Sequence, residues 1–153
     1  MAAARYWFLA KRYGWGWGPP RTWQGWLGLA IFFVLLAVGA AYYGAGKLGL
    51  SLAFVNASAT AVWPPAGIAM AGLLMFGSGV WPAILVGAFL VNLTTTGTVA
   101  TSLVIALGNT LEGVIGAELV RRYAAGTRVF EQPKNIFKFV GIASVCTMVS
   151  ATL

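Results

Sequence analysis

The sequence predicts an all-α protein, a polytopic transmembrane bundle of four to five helices with its N-terminus in the cytoplasm. Three observations carry that prediction. Hydrophobic residues make up 59% of the chain and charged ones 8%, with a mean hydropathy of +0.82; soluble domains carry roughly 25% charge, so such a surface needs lipid. The apolar residues fall into runs separated by Gly, Pro and polar breaks. The basic residues collect beside those runs on what the run order makes one side.

Residues 1–22 form a basic, aromatic tail, with Arg5, Lys11, Arg12 and Arg21 interleaved with Tyr6, Trp7, Tyr13, Trp15 and Trp17, and are expected at the membrane surface. Residues 23–153 are expected to make up the membrane domain. Its first run, Trp23 to Tyr43, has the length of a spanning helix rather than of a cleaved signal core, and Gly44 and Gly46 are expected to end it. Lys47 to Thr60 turns polar at Asn56, Ser58 and Thr60 and reads as an interfacial loop or broken helix.

Trp63-Pro64-Pro65 opens a second apolar run to Phe76, because proline at a first helical turn gives up no intrahelical bond. Gly77-Ser78-Gly79 turns the chain, and Trp81-Pro82 opens a third run to Asn92 or Leu93. Both runs fall short of the roughly 20 residues a crossing needs. Two crossings and a re-entrant hairpin therefore compete; tryptophans at helix starts suit the headgroup layer and favour crossings. A fourth helix is expected from Thr98 to Val120 and a fifth from Asn135 to Leu153.

Charge tests that order independently of hydropathy. Crossings at helices one to four put Arg5, Lys11, Arg12, Arg21, Arg121, Arg122, Arg128, Lys134 and Lys138 on one side and Lys47 opposite. The side rich in Lys and Arg is the cytoplasmic one, which makes the expected protein multi-pass with its N-terminus inside. The net charge of +7 sits beside apolar runs and does not suggest nucleic acid as a partner. With no His, no Asp and Cys146 as the single cysteine, the chain has no phosphoacceptor His, no Ser-His-Asp set and no usual metal ligand set. No catalytic residue, metal or cofactor is expected.

A polar group within hydrocarbon needs a partner or a function. Glu112 lies near the centre of the fourth run, and Ile105, Asn109, Glu112 and Gly116 share one helical face, flanked by Gly108 and Gly113, where another helix could approach. Asn109 and Glu112 could staple helices together or form a ligand, proton or ion site. Asn92 reads as a helix-terminal cap or as a partner for Glu112. Glu118 is spaced to pair with Arg121 and Arg122. Cys146 reads as small apolar filling.

Four blocks in order, Tyr43-Gly-Ala-Gly-Lys-Leu-Gly-Leu50, Trp63-Pro-Pro-Ala-Gly-Ile68, Trp81-Pro82 with Gly87-Ala-Phe-Leu-Val-Asn-Leu93, and Ala106-Leu-Gly-Asn-Thr-Leu-Glu112, resemble the MASE1 family of bacterial membrane-associated sensor domains. The resemblance implies about eight helices followed by a histidine kinase, diguanylate cyclase or PAS module, so the chain is expected to be a C-terminally truncated, N-terminal half. It places Trp63, Pro64, Pro65, Gly67, Asn109 and Glu112 at motif positions. The function expected is sensory input, relaying a signal to a cytoplasmic output domain; a small-molecule or ion transporter is the alternative. The partners expected are the lipid bilayer, that output domain and, across a face left open, a second copy.

Overall fold

The computed structural model describes residues 7–9, 18–52, 63–95 and 97–152, the last five by their helix alone. Among them the regular structure is helical: α1 Trp23–Ser51, α2 Pro64–Phe76, α3 Trp81–Leu93, α4 Val99–Tyr123 and α5 Pro133–Thr152, with 3-10 turns at Ser78–Val80 and Gly126–Glu131. The chain divides into two compact units, Met1–Leu36 and Ala37–Leu153.

In the first unit the described tail residues double back. Gly18 N–H donates to the Leu9 carbonyl at 2.8 Å and Arg21 N–H to that of Trp7 at 2.9 Å. A Cβ on Gly25 would come within 2.7 Å of the Trp7 carbonyl oxygen, so only glycine admits this approach. Trp23, Trp26, Ile31, Phe32 and Phe33 are exposed. The tail residues Arg5, Tyr6, Lys11, Arg12, Tyr13, Trp15 and Trp17 lie outside the described residues.

In the second unit α4 packs against α2, α3 and α5. The neighbours of its glycines give the chain directions. Where Gly113 would carry a Cβ, Leu73 Cδ1 lies 3.2 Å away and Ala69 Cβ 3.5 Å; at Gly116, Met70 Cε lies 2.8 Å and Cys146 Sγ 3.7 Å away. α2 thus runs parallel to the second half of α4, while α5 returns antiparallel, with Phe139 and Ile142 against the buried Val120, Ala124 and Val129. Gly77, with φ 84°, ends α2 in a conformation that favours glycine. Consecutive left-handed residues, Ala125 and Gly126, close α4.

The expected ends of helices two and three hold, and that of helix one does not. α1 continues through Gly44 and Gly46 to Ser51. A Cβ on Gly46 would meet Val91 Cγ2 at 2.6 Å, and one on Gly87 would meet the Gly39 carbonyl oxygen and Tyr42 Cβ at 3.1 Å each. These glycines serve a close α1–α3 contact, and a helix tolerates glycine at a modest cost when packing repays it. Residues 53–62, with Asn56, Ser58 and Thr60, lie outside the described residues.

α1 and α4, of 29 and 25 residues, are the two helices among the described residues long and apolar enough to cross a membrane. α2 and α3 have 13 residues each, about 20 Å at 1.5 Å per residue, against a hydrocarbon core of about 30 Å.

Candidate functional site

Thr98 caps α4: its hydroxyl accepts from the Thr101 N–H at 3.3 Å, satisfying one orphan donor of the first turn. From that start, α4 carries Asn109 and Glu112 three residues apart on one face at mid-helix. Both line a cavity of about 120 Å³ shared with Tyr42 of α1, Trp63 and Gly67 at the start of α2, and Phe139 and Cys146 of α5. The Trp63 and Asn109 side chains are hydrogen-bonding partners of the Tyr42 hydroxyl, which also lies within electrostatic reach of Glu112. An indole N–H can only donate, so Trp63 donates to Tyr42. Tyr42 is 1% exposed, and these partners remove the cost of burying its hydroxyl.

Trp63 therefore stands beside the middle of α4, and α2 begins level with Asn109 and Glu112. The reason is packing: Gly113 and Gly116 draw the rest of α2 onto the second half of α4. Below the cavity, Arg121 fixes the far end of α2. Its Nη1 donates to Ser78 Oγ at 3.1 Å and its Nη2 to the Leu73 carbonyl, one of the four carbonyls that a helix end leaves without an intrahelical donor.

Of the candidate residues, Trp63, Gly67, Asn109 and Glu112 share the lining of this cavity. Pro64 and Pro65 form the first turn of α2, Pro65 buried and Pro64 exposed. Asn92 stands apart from Glu112. Its Nδ2 donates to the Ala88 carbonyl of its own helix at 2.8 Å, and its own carbonyl accepts from Thr95 and Gly97. Gly113 and Gly116 do admit a neighbouring helix, whereas nothing lies within 4 Å of the Cβ position at Gly108. Ile105, on the same α4 face, is 46% exposed.

The ion pairs among the described residues belong to Glu118, with Arg122 at 2.7 Å and Arg121 at 3.6 Å. No described cation pairs with Glu112. Lys47 is occupied at the opposite end, donating to the Thr94 carbonyl and to Thr95 Oγ1, each at 2.9 Å. A cation there suits the C-terminus of α3, which explains a basic residue far from the others. Three lining residues, Tyr42, Phe139 and Cys146, were not singled out as site residues by sequence; no local pattern marks them, because they arrive through the packing of α1 and α5 on α4.

Among the described residues no group of His, Cys, Asp or Glu could hold a metal ion. Among the described residues the arrangement is a small, mainly apolar hollow to which Glu112 brings a carboxyl, Asn109 an amide, Tyr42 and Thr147 hydroxyls and Cys146 a thiol, the mix of a binding pocket. A family model described as MASE1 matches residues 34–153, and MASE1 is a membrane-associated sensory domain family found in signalling proteins. No curated protein and no solved structure matches the chain.

Proposed function

This chain belongs to the MASE1 family, and from that premise we propose that it is the membrane-embedded sensory input domain of a bacterial signal-transduction protein. It relays its signal to a cytoplasmic output domain of the histidine kinase or diguanylate cyclase type. The family is one of sensory input rather than catalysis, and the observation that carries the reading beyond the family is the cavity where α1, α2, α4 and α5 converge. Its lining belongs to four helices, so an occupant that favours one packing of α2 and α5 on α4 shifts a population that an attached domain can read.

The proposed setting is multi-pass in the inner membrane with the N-terminus cytoplasmic. Two apolar helices of spanning length and the clustering of Arg121, Arg122, Arg128, Lys134 and Lys138 at one end of α4 and α5 support it. A cysteine placed at Arg128 should react with an impermeant maleimide from the cytoplasmic side of inverted vesicles; reaction from the periplasmic side of intact spheroplasts would reverse the orientation. Exposed apolar side chains such as Leu103, Leu107 and Leu111 on α4 face lipid or a second copy.

The test of function is a fusion of the chain to a diguanylate cyclase with its activity read in membranes. Glu112→Gln and Gly67→Leu should each shift cyclase output by severalfold without loss of the fusion from the membrane. Output unchanged by every cavity substitution would sink the sensory reading. The transporter reading keeps one specific support, a short helix that starts at the depth of an intramembrane carboxyl; protein-dependent solute flux in proteoliposomes would favour it.

A further inference from the structure

The chemistry of the cavity lining selects among ligand classes. An anion finds little there. Among the described residues no Lys or Arg lines the cavity, and of the four N–H groups that a helix start normally presents, α2 keeps at most that of Gly67: Pro64 and Pro65 have none, while that of Ala66 is spent on the Trp63 carbonyl at 3.2 Å. The usual capture of an anion by several N–H groups of a helix N-terminus is therefore weakened here.

A purely apolar occupant would fill the space but leave Glu112 facing hydrocarbon with no counter-group, the costliest outcome for a carboxyl. A small organic cation meets both the carboxyl and the aromatic part of the lining. Trp63, Tyr42 and Phe139 supply aromatic surface to the lining, and such rings attract an ammonium ion electrostatically, most strongly when it is desolvated. Glu112 supplies the opposite charge. Asn109 and Trp63, both hydrogen-bonded to Tyr42, hold that ring in place.

Size narrows the class further. The cavity measures about 120 Å³, somewhat less than the roughly 150 Å³ apolar cavity that admits benzene. It therefore suits a head group of about four to six non-hydrogen atoms. We propose that the cavity binds the head of a small alkylammonium compound, with the Glu112 carboxylate as its counter-ion and Trp63, Tyr42 and Phe139 as its walls. This rests on reading the cavity as the sensing site of the proposed input domain.

The test titrates tetramethylammonium, and tert-butanol as a neutral probe of the same heavy-atom count, into the full chain in lipid nanodiscs by isothermal titration calorimetry. Saturable binding of tetramethylammonium and none of tert-butanol is expected. Glu112→Gln should weaken that binding at least about tenfold, and Gly67→Leu should abolish it by filling the hollow, since nothing lies within 4 Å of the Cβ position there. Circular dichroism confirms that each variant keeps its helices, and Gly67→Leu, which leaves Glu112 intact, decides the matter if Glu112→Gln does not fold. Absence of saturable tetramethylammonium binding to the folded chain, equal binding of tert-butanol, or undiminished binding to Gly67→Leu would overturn the proposal. Failure here together with cyclase fusions that still respond to cavity substitutions would remove the ammonium ligand and leave the sensory reading standing.

Discussion

The α1–α3 contact and the meeting of α2 and α5 with α4 are both built around glycine, yet one is closed and the other hollow. At Gly87 the two backbones come so near that a single added carbon would stand 3.1 Å from both the Gly39 carbonyl oxygen and Tyr42 Cβ. Around α4, Gly113 and Gly116 let side chains of α2, Leu73, Ala69 and Met70, pack onto the helix, but one turn earlier Asn109 and Glu112 meet the start of α2 across a cavity of about 120 Å³. Small residues allow close approach in either place. What differs is where the partner begins: α3 runs beside α1 from Gly39 to Lys47, whereas α2 starts level with the site and its first turn lines the cavity.

If the first contact is closed, adding bulk to it should do the most damage. Gly87→Leu must displace a backbone carbonyl and the root of a buried tyrosine, and overpacking of this kind costs about 1–3 kcal/mol or more. Unfolding in mixed micelles should show that loss, and a variant as stable as the parent would mean that α1 and α3 are not in contact. Next in size is Arg121→Ala, which strands the Leu73 carbonyl and frees Ser78. We expect about 1–3 kcal/mol, the usual cost of leaving a buried acceptor unsatisfied. Amide exchange should speed up at the end of α2 before it does in α3, and uniform exchange would break the assignment of Arg121 to α2.

Thr98→Ala is a smaller perturbation, removing the capping bond to Thr101 at about 1 kcal/mol. It should fray the first turn of α4 and leave the cavity's ligand response unchanged, since the site lies further along the helix. A large change in response would show that the hollow is less independent of helix ends than the structure implies.

Much of this was legible in the sequence wherever a signal was local. Prolines and glycines punctuate α2 and α3 so sharply that the expected and observed bounds agree. α4 was expected to stop at Val120 but reaches Tyr123, because Glu118 pairs with Arg121 and Arg122 along the helix and Arg121 has a second task on α2. The end of α1 was misread because a glycine that stops a helix and one that lets a neighbour in look alike in one dimension; Val91, the neighbour of Gly46, lies far along the chain. The site divides the same way. Asn109 and Glu112 announce themselves as polar residues on one face of an apolar helix, while Tyr42 and Phe139 are ordinary aromatics until the fold sets them beside that face. Asn92 was a plausible partner for Glu112 by composition, and only the chain direction of α3 puts it at the wrong end.

The finest discrimination comes from two helical glycines whose Cβ positions meet open space. Neither Gly67 nor Gly108 has an atom within 4 Å of its Cβ position, yet Gly67 lines the cavity and Gly108 does not. Alanine at either should stabilise its helix by about 0.5–1 kcal/mol through lost chain entropy in the unfolded state. Stability measurements alone therefore cannot separate them. Ligand response can: one methyl at Gly67 takes up part of a small cavity and should weaken occupancy several-fold, whereas one at Gly108 should leave it unchanged. Equal effects on the cyclase fusion would mean that the fusion reads helix stability and not the cavity, because the two variants share the first property and differ in the second.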